Sequence, residues 1–226
     1  AVTVTGWLYC WGDNSGGQRG PGDHQSSSTP RMNLLMDGNE AVAVGGYHAC
    51  ALRSAGAVHC WGRNSYGQLG DGTAISRTMG GAPVLRDADD SLRARVIVAG
   101  YDHSCALGQD GEVFCWGANH VGQVGRLGSS ESEIYANQVD LPQRAVAVTA
   151  GAYHSCALLS GGNIYCWGMN DHGQLGDGTF EGGAEPRQVE FPAETLVGSA
   201  IDVAAGWAHT CAITRAEYNI RRTLCW

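Results

Sequence analysis

The dipeptide Cys-Trp occurs at Cys10-Trp11, Cys60-Trp61, Cys115-Trp116, Cys166-Trp167 and Cys225-Trp226, and a second cysteine stands upstream of every copy but the first. The chain is one unit repeated. Units of roughly 50 residues, rich in Gly and Trp, cannot each bury an apolar face alone and must stack as propeller blades or solenoid coils do. Length therefore counts repeats and not domains.

Two motifs define the unit. The first is W-G-x-N-x-x-G-Q-x-G, at Trp11 to Gly20, Trp61 to Gly70, Trp116 to Gly125 and Trp167 to Gly176. The second, G-x-x-H-x-C-A-L, runs from Gly45 to Leu52, Gly100 to Leu107, Gly151 to Leu158 and Gly206 to Ile213, with Ile replacing Leu in the last copy. Short apolar strands lead into the second motif at 41–44, 96–99, 147–150 and 202–205. Their small side chains suit the crowded inner region of a propeller. The units fall at about 1–10 (partial), 11–60, 61–115, 116–166 and 167–226, giving one repeat array over 1–226. Both ends fall inside a unit: Ala1-Val2 overlays Ala51-Leu52, and Trp226 lacks the W-G-x-N run. The expectation is a segment of a longer array, with Cys10's partner lying before Ala1.

Composition bounds the function classes. Charged residues are 16% of the chain, against about 25% in typical globular proteins. Formal net charge is −8, and all 14 basic residues are Arg. Without a basic run, the counterion-release drive for nucleic-acid binding is weak. Without Lys, a Schiff-base mechanism is excluded for this segment. No run of 18 apolar residues exists to span a membrane.

The nine cysteines carry the compartment argument. Cys50 and Cys60, Cys105 and Cys115, and Cys156 and Cys166 are ten positions apart, and Cys211 and Cys225 fourteen. Turn residues such as Ser54-Ala55-Gly56 and Gln109-Asp110-Gly111 lie midway, so each pair flanks a hairpin. If Cys50 faces Cys60, Leu52 faces Val58, and opposed Cα atoms about 4.5 to 5.5 Å apart suit a disulfide. Zinc is the alternative, because His48, His103, His154 and His209 each precede a cysteine by two and share its strand face. Zinc cysteines usually come as closely spaced pairs, so the spacing favours four structural disulfides. Persistent disulfides imply a secreted, periplasmic or cell-surface location.

The W-G-x-N-x-x-G-Q-x-G stretch, extended by Asp71-Gly72-Thr73 and Asp177-Gly178-Thr179, together with G-x-x-H-x-C-A-L, resembles the regulator of chromosome condensation repeat along essentially the whole chain. The resemblance implies an all-β propeller of four-stranded blades, of which about four to five are present here as part of an array of seven. It also implies one of several roles. Nuclear members are guanine-nucleotide exchange factors that bind chromatin, and others inhibit enzymes or carry catalytic modules. The disulfides and acidic balance argue against the nuclear role.

Candidate chemistry is sparse. The four equivalent histidines could ring an axis and bind metal, but a residue present in every unit usually builds every unit. Asp87, Asp89 and Asp90 could bind Ca²⁺ but lack the EF-hand spacing, and the turns at Asp71 and Asp177 read as capping geometry. Ser104 and Ser155 follow histidines, yet neighbours on a strand point to opposite faces and cannot pair as nucleophile and base. No G-x-S-x-G elbow, H-E-x-x-H or P-loop occurs. Tyr47, Tyr101, Tyr153 and Trp207, just before the histidines, either line one face or cover the core, and the core is the expectation. No catalytic residue, metal or cofactor is assigned. The reading is a non-enzymatic scaffold that binds a protein through the variable connectors 21–40, 71–95, 126–146 and 177–200. The alternatives are self-assembly as the subunit of an extracellular filament, sheath or surface layer, and an exchange-factor-like or enzyme-inhibitory regulator.

Overall fold

The computed structural model describes residues 1–20, 24–33, 37–128, 130–191, 199–215 and 221–226. Parts of the connectors 21–40, 126–146 and 177–200 lie outside them. Three antiparallel four-stranded blades follow one another: β3 (Asn39–Val44), β4 (His48–Arg53), β5 (Val58–Gly62) and β6 (Arg77–Pro83); β7 (Ala94–Ala99), β8 (His103–Gly108), β9 (Val113–Ala118) and β10 (Ser132–Gln138); β11 (Ala145–Ala150), β12 (His154–Leu159), β13 (Ile164–Gly168) and β14 (Gly183–Gln188). They are preceded by the pair β1 (Tyr9–Gly12) and β2 (Ser27–Met32), and followed by the three-stranded sheet β15 (Ala200–Ala205), β16 (Thr210–Arg215) and β17 (Arg221–Cys225). The first strands β3, β7, β11 and β15 contact one another in succession, so they form the inner wall. These are the small-sided strands of the sequence pattern.

Blades do not coincide with sequence units. A blade starts at the strand before G-x-x-H, and its outer strand comes from the variable connector: β2, β6, β10 and β14 all lie there. Each inner pair shifts register at the same place, between Asn39/Ala41, Ala94/Val96, Ala145/Ala147 and Ala200/Asp202, a bulge that adds local twist.

The second and third strands of each blade are paired without a slip. Cys50 opposes Cys60 and Leu52 opposes Val58, and the same register holds for Cys105–Cys115, Cys156–Cys166 and Cys211–Cys225. All four pairs are disulfides, with Cα atoms 4.1 Å apart in the first three and 4.0 Å in the fourth. That is the close spacing of opposed residues that exchange no backbone hydrogen bonds. Three of these disulfides face the next blade. Cys50 and Cys60 share a cluster with Trp116 and Ile97, Cys105 and Cys115 share one with Trp167 and Val148, and Cys156 and Cys166 one with Val203 and Trp226. Each apolar core is thus the seam between consecutive blades, filled on one side by disulfide sulfur and on the other by the indole of the following Cys-Trp. Trp61, Trp116 and Trp167 are fully buried, whereas Trp11 at the first sheet is half exposed.

The seam explains the glycine of G-x-x-H. A Cβ on Gly100 would lie 2.1 Å from His103 Cε1 and 2.6 Å from the carbonyl oxygen of Gly151 in the next blade, and Gly45 and Gly151 are in the same position. Substitution Gly100→Ala is expected to destabilise the chain by about 1–3 kcal/mol or more. Gly183→Ala, whose Cβ would meet nothing nearer than 3.9 Å, should stay within about 0.5 kcal/mol. Equal urea midpoints for the two variants would contradict this packing.

Candidate functional site

The repeated motif residues are consumed by holding the blades together. Within a blade, the N–H after Trp-Gly donates to the carbonyl of the residue before the histidine: Arg63 to Tyr47, Ala118 to Asp102 and Met169 to Tyr153. Gly62, Gly117 and Gly168 make this possible, with φ of 108°, 104° and 108° and room for no Cβ, since one would lie 2.5–2.6 Å from that carbonyl. The motif Asn closes the loop: Asn64 Oδ1 accepts from the Leu69 N–H at 2.9 Å, and its Nδ2 donates to the carbonyls of Thr73 and Ile75. The motif Gln braces the same loop, with Gln68 Oε1 accepting from the Tyr66 N–H at 2.9 Å.

Between blades, the Gln main-chain carbonyl is the shared acceptor. Gln123 O receives the Trp167 indole N–H at 3.0 Å and the Ser155 hydroxyl at 3.0 Å, both from the next blade. Gln68 O receives Trp116 and Ser104, and Gln174 O receives Trp226 and Thr210. Each hydroxyl oxygen in turn meets a histidine of the preceding blade: His48 Nε2 to Ser104 at 2.7 Å, His103 Nε2 to Ser155 at 2.9 Å and His154 Nε2 to Thr210 at 2.9 Å. A hydroxyl has one proton, and it goes to the carbonyl. The ring nitrogen Nε2 is therefore the donor, and each imidazole is the neutral Nε2–H tautomer with Nδ1 buried and unpartnered.

Ser104 and Ser155 do pair with histidine, though with that of the neighbouring blade. All four groups are fully buried, out of reach of a substrate. The clue in the sequence was the hydroxyl after three of the four histidines (Ser104, Ser155, Thr210). His209 carries the same motif position in the last sheet and is exposed. The cysteines that would share metal with these histidines are oxidised to disulfides.

Burial lowers the histidine pKa values, to about 4 for His48 and His154 and about 3 for His103, where neighbouring His48, His154 and His120 add to the effect. The folded chain therefore binds fewer protons than the unfolded one below the ordinary value of 6.5. The stability contributed by these rings is complete above pH 6.5 and is lost as pH falls to about 4 for His48 and His154 and about 3 for His103. The urea midpoint should decline through that window, and less steeply in a His103→Gln variant; identical slopes would contradict the buried neutral ring.

The acidic candidates are already engaged. Asp71 Oδ1 accepts from the N–H and hydroxyl of Thr73, and Oδ2 from Arg77 Nε at 2.5 Å. Asp177 repeats this with Thr179 and Arg187. Both carboxyls are held below the ordinary range by these donors against the opposing effect of burial. Asp90 pairs with Arg86, and Asp87 accepts the Asp89 N–H, a solvated turn. Cys10 is free, and burial pushes its thiol up.

The aromatic residues correct the sequence reading. They do not cover the core. Tyr47, Tyr101 and Tyr153 are half-buried and Trp207 is 64% exposed, and together they form a cluster on one face of the propeller. Tyr101 packs against Tyr47, Tyr153 and Trp207 with ring centroids 5.9, 5.7 and 5.5 Å apart, and Tyr153 meets Trp207 at 6.2 Å. His120 and Tyr66 extend the patch. Nor are these positions all equivalent. Tyr101 and Trp207 directly follow the motif glycine, where Gly46 and Ala152 stand in the other units, and a backbone chain from Gly46 to Tyr101 to Ala152 to Trp207 links the turns of successive blades. Tyr47 and Tyr153 come one residue later, where the second blade has Asp102. That carboxylate accepts from Gln68 Nε2 at 2.9 Å, is 7% exposed, and is raised by burial against the influence of Arg63, Gln68 and His120. Sequence reasoning missed Asp102; the signal was an acidic residue where equivalent positions hold Tyr or Ala.

With the geometry established, similarity to known proteins locates the chain. Residues 1–220 match the RCC1-like domain. The chain belongs to this family. The ultraviolet-B receptor UVR8 of Arabidopsis thaliana is 30% identical over 218 residues, covering 95% of this chain and 48% of that protein. The human E3 ubiquitin-protein ligase HERC2 is 32% identical over 219 residues, 93% of this chain and 4% of that protein. Among solved structures, human WBSCR16 superposes with a TM-score of 0.80 at 24% identity over 96% of this chain and 55% of that one. Prp20p of Saccharomyces cerevisiae does so with 0.80 at 23% over 93% and 52%. The RCC1-like chain described here thus spans about half the length of UVR8. These likenesses show the propeller fold, with its blades here forming an open arc. No helix among the described residues is long and apolar enough to cross a membrane.

Proposed function

We propose that this RCC1-like chain is a non-enzymatic protein-interaction module, secreted, periplasmic or on a cell surface, that holds a partner against the aromatic face, with the unlike connectors adding specificity. The observation that carries the reading is the division of labour among residues. The histidine and glutamine of each four-stranded blade and the hydroxyls of Ser104, Ser155 and Thr210 are buried in the seams, while Tyr101, Asp102, Tyr153 and Trp207, at positions that differ from unit to unit, gather on one face. Exposed aromatic clusters with a polar rim mark interaction sites. The fold is one on which partners are bound in at least one other protein, Prp20p, whose binding to Gsp1p and histones has been characterised. The compartment rests on the four disulfides, which persist in oxidising surroundings.

A photo-crosslinking residue placed at Trp207 in the producing cells should yield one discrete adduct with another polypeptide, and electron micrographs of the purified chain should show dispersed particles. Absence of any adduct contradicts the interaction role, and ordered polymers point to the filament alternative instead. Thiol titration of chain isolated and denatured without reductant should find a single reactive thiol, Cys10. Eight or nine would remove the basis for the compartment.

A further inference from the structure

We infer that the aromatic face receives a cationic side chain, an arginine or lysine of the protein partner, over Tyr101, Tyr153 and Trp207 with Asp102 as its counter-charge; this rests on the interaction role proposed above. Three features point to a cation. The surface is built of Tyr and Trp rings, whose faces attract cations within about 6 Å of the ring centroid. The molecule already uses this chemistry at the edge of the patch, where Arg63 lies 5.7 Å over the Tyr47 ring. Asp102 then supplies a carboxylate beside the rings: its charge contributes to raising the phenols of Tyr101 and Tyr153, after the Tyr47 hydrogen bond, burial and the neighbouring Tyr47 and Tyr153 phenols in the first and after burial in the second.

That carboxylate takes one side-chain hydrogen bond. Its hydrogen bond from Gln68 goes to Oδ1, and Arg63, held by Ser65 and the Tyr47 ring, makes no ion pair with it. An incoming ammonium or guanidinium satisfies the second oxygen while its alkyl stem covers ring surface, which is how long basic side chains use mixed aromatic and acidic sites. The formal charge of −8 steers such a partner toward the chain. Asp102 has no counterpart in the equivalent positions Tyr47, Tyr153 and Ala208, so one such seat exists among the described blades.

The test measures binding of otherwise identical short peptides bearing a central Arg, Lys, Gln or Glu to the 226-residue chain, by calorimetry at low and moderate salt. The Arg and Lys peptides should bind, and the Gln and Glu peptides should not. Trp207→Ala, which leaves the backbone bond from Ala152 in place, should weaken binding roughly 5- to 30-fold. Asp102→Asn, which keeps an acceptor for Gln68, should weaken it by a similar factor, and circular dichroism should show both variants folded. Equal binding of the Gln peptide overturns the inference. So does binding of Arg and Lys peptides that is abolished by salt yet untouched by Trp207→Ala and Asp102→Asn, which is general attraction to the acidic chain. A discrete crosslinked adduct at Trp207 combined with no binding of either cationic peptide would leave the interaction role standing and remove the cationic partner.

Discussion

One main-chain carbonyl per blade carries the arrangement. The oxygen of the motif Gln faces the following blade and collects an indole N–H from it; at three seams it also collects a hydroxyl proton, and that hydroxyl oxygen collects a histidine N–H from behind, whereas Gln18 receives the Trp61 indole with Ala49 in the hydroxyl's place. Inside an apolar seam each of these groups would cost about 1–3 kcal/mol if left unpaired. The network therefore fixes the angle and height of one blade on the next more sharply than apolar contact alone can. The surrounding apolar packing, disulfide sulfur against the next indole, supplies the bulk of the attraction without direction.

Function follows by subtraction. A residue demanded at every seam is not available for chemistry at any of them, which is why a row of histidines adjoining serines and cysteines has no catalytic meaning here. Variation is tolerated only where the seam does not reach: the outer strands, their connectors, and the two positions between the motif Gly and His. It is at those two positions that aromatic and acidic side chains come together from separate blades, with Tyr101 and Trp207 in contact although a whole blade separates them in sequence.

The sequence disclosed what is local. A turn centred between cysteines ten positions apart specifies its own opposed pair, and small-sided strands before a glycine identify the inner wall. Blade boundaries were less visible, because outer strands such as Arg77–Pro83 contain adjacent glycines and a proline and have no alternating pattern. The His–hydroxyl contacts join residues 52 to 56 positions apart, beyond any periodicity within a strand, although the recurring hydroxyl hinted at them. The aromatic face was misjudged because Tyr residues at two different positions were treated as one, which hid Asp102.

Hydrogen exchange at the tryptophan indoles tests the seam most directly. If the Gln carbonyls clamp successive blades, the indole N–H groups of Trp61, Trp116 and Trp167, bonded to Gln18, Gln68 and Gln123, will exchange as slowly as the best-protected core amides, while those of exposed Trp11 and Trp207 exchange at once. Rapid exchange at Trp116 and Trp167 in the folded chain would show that the blades are not held by that carbonyl, and the account would fail with it.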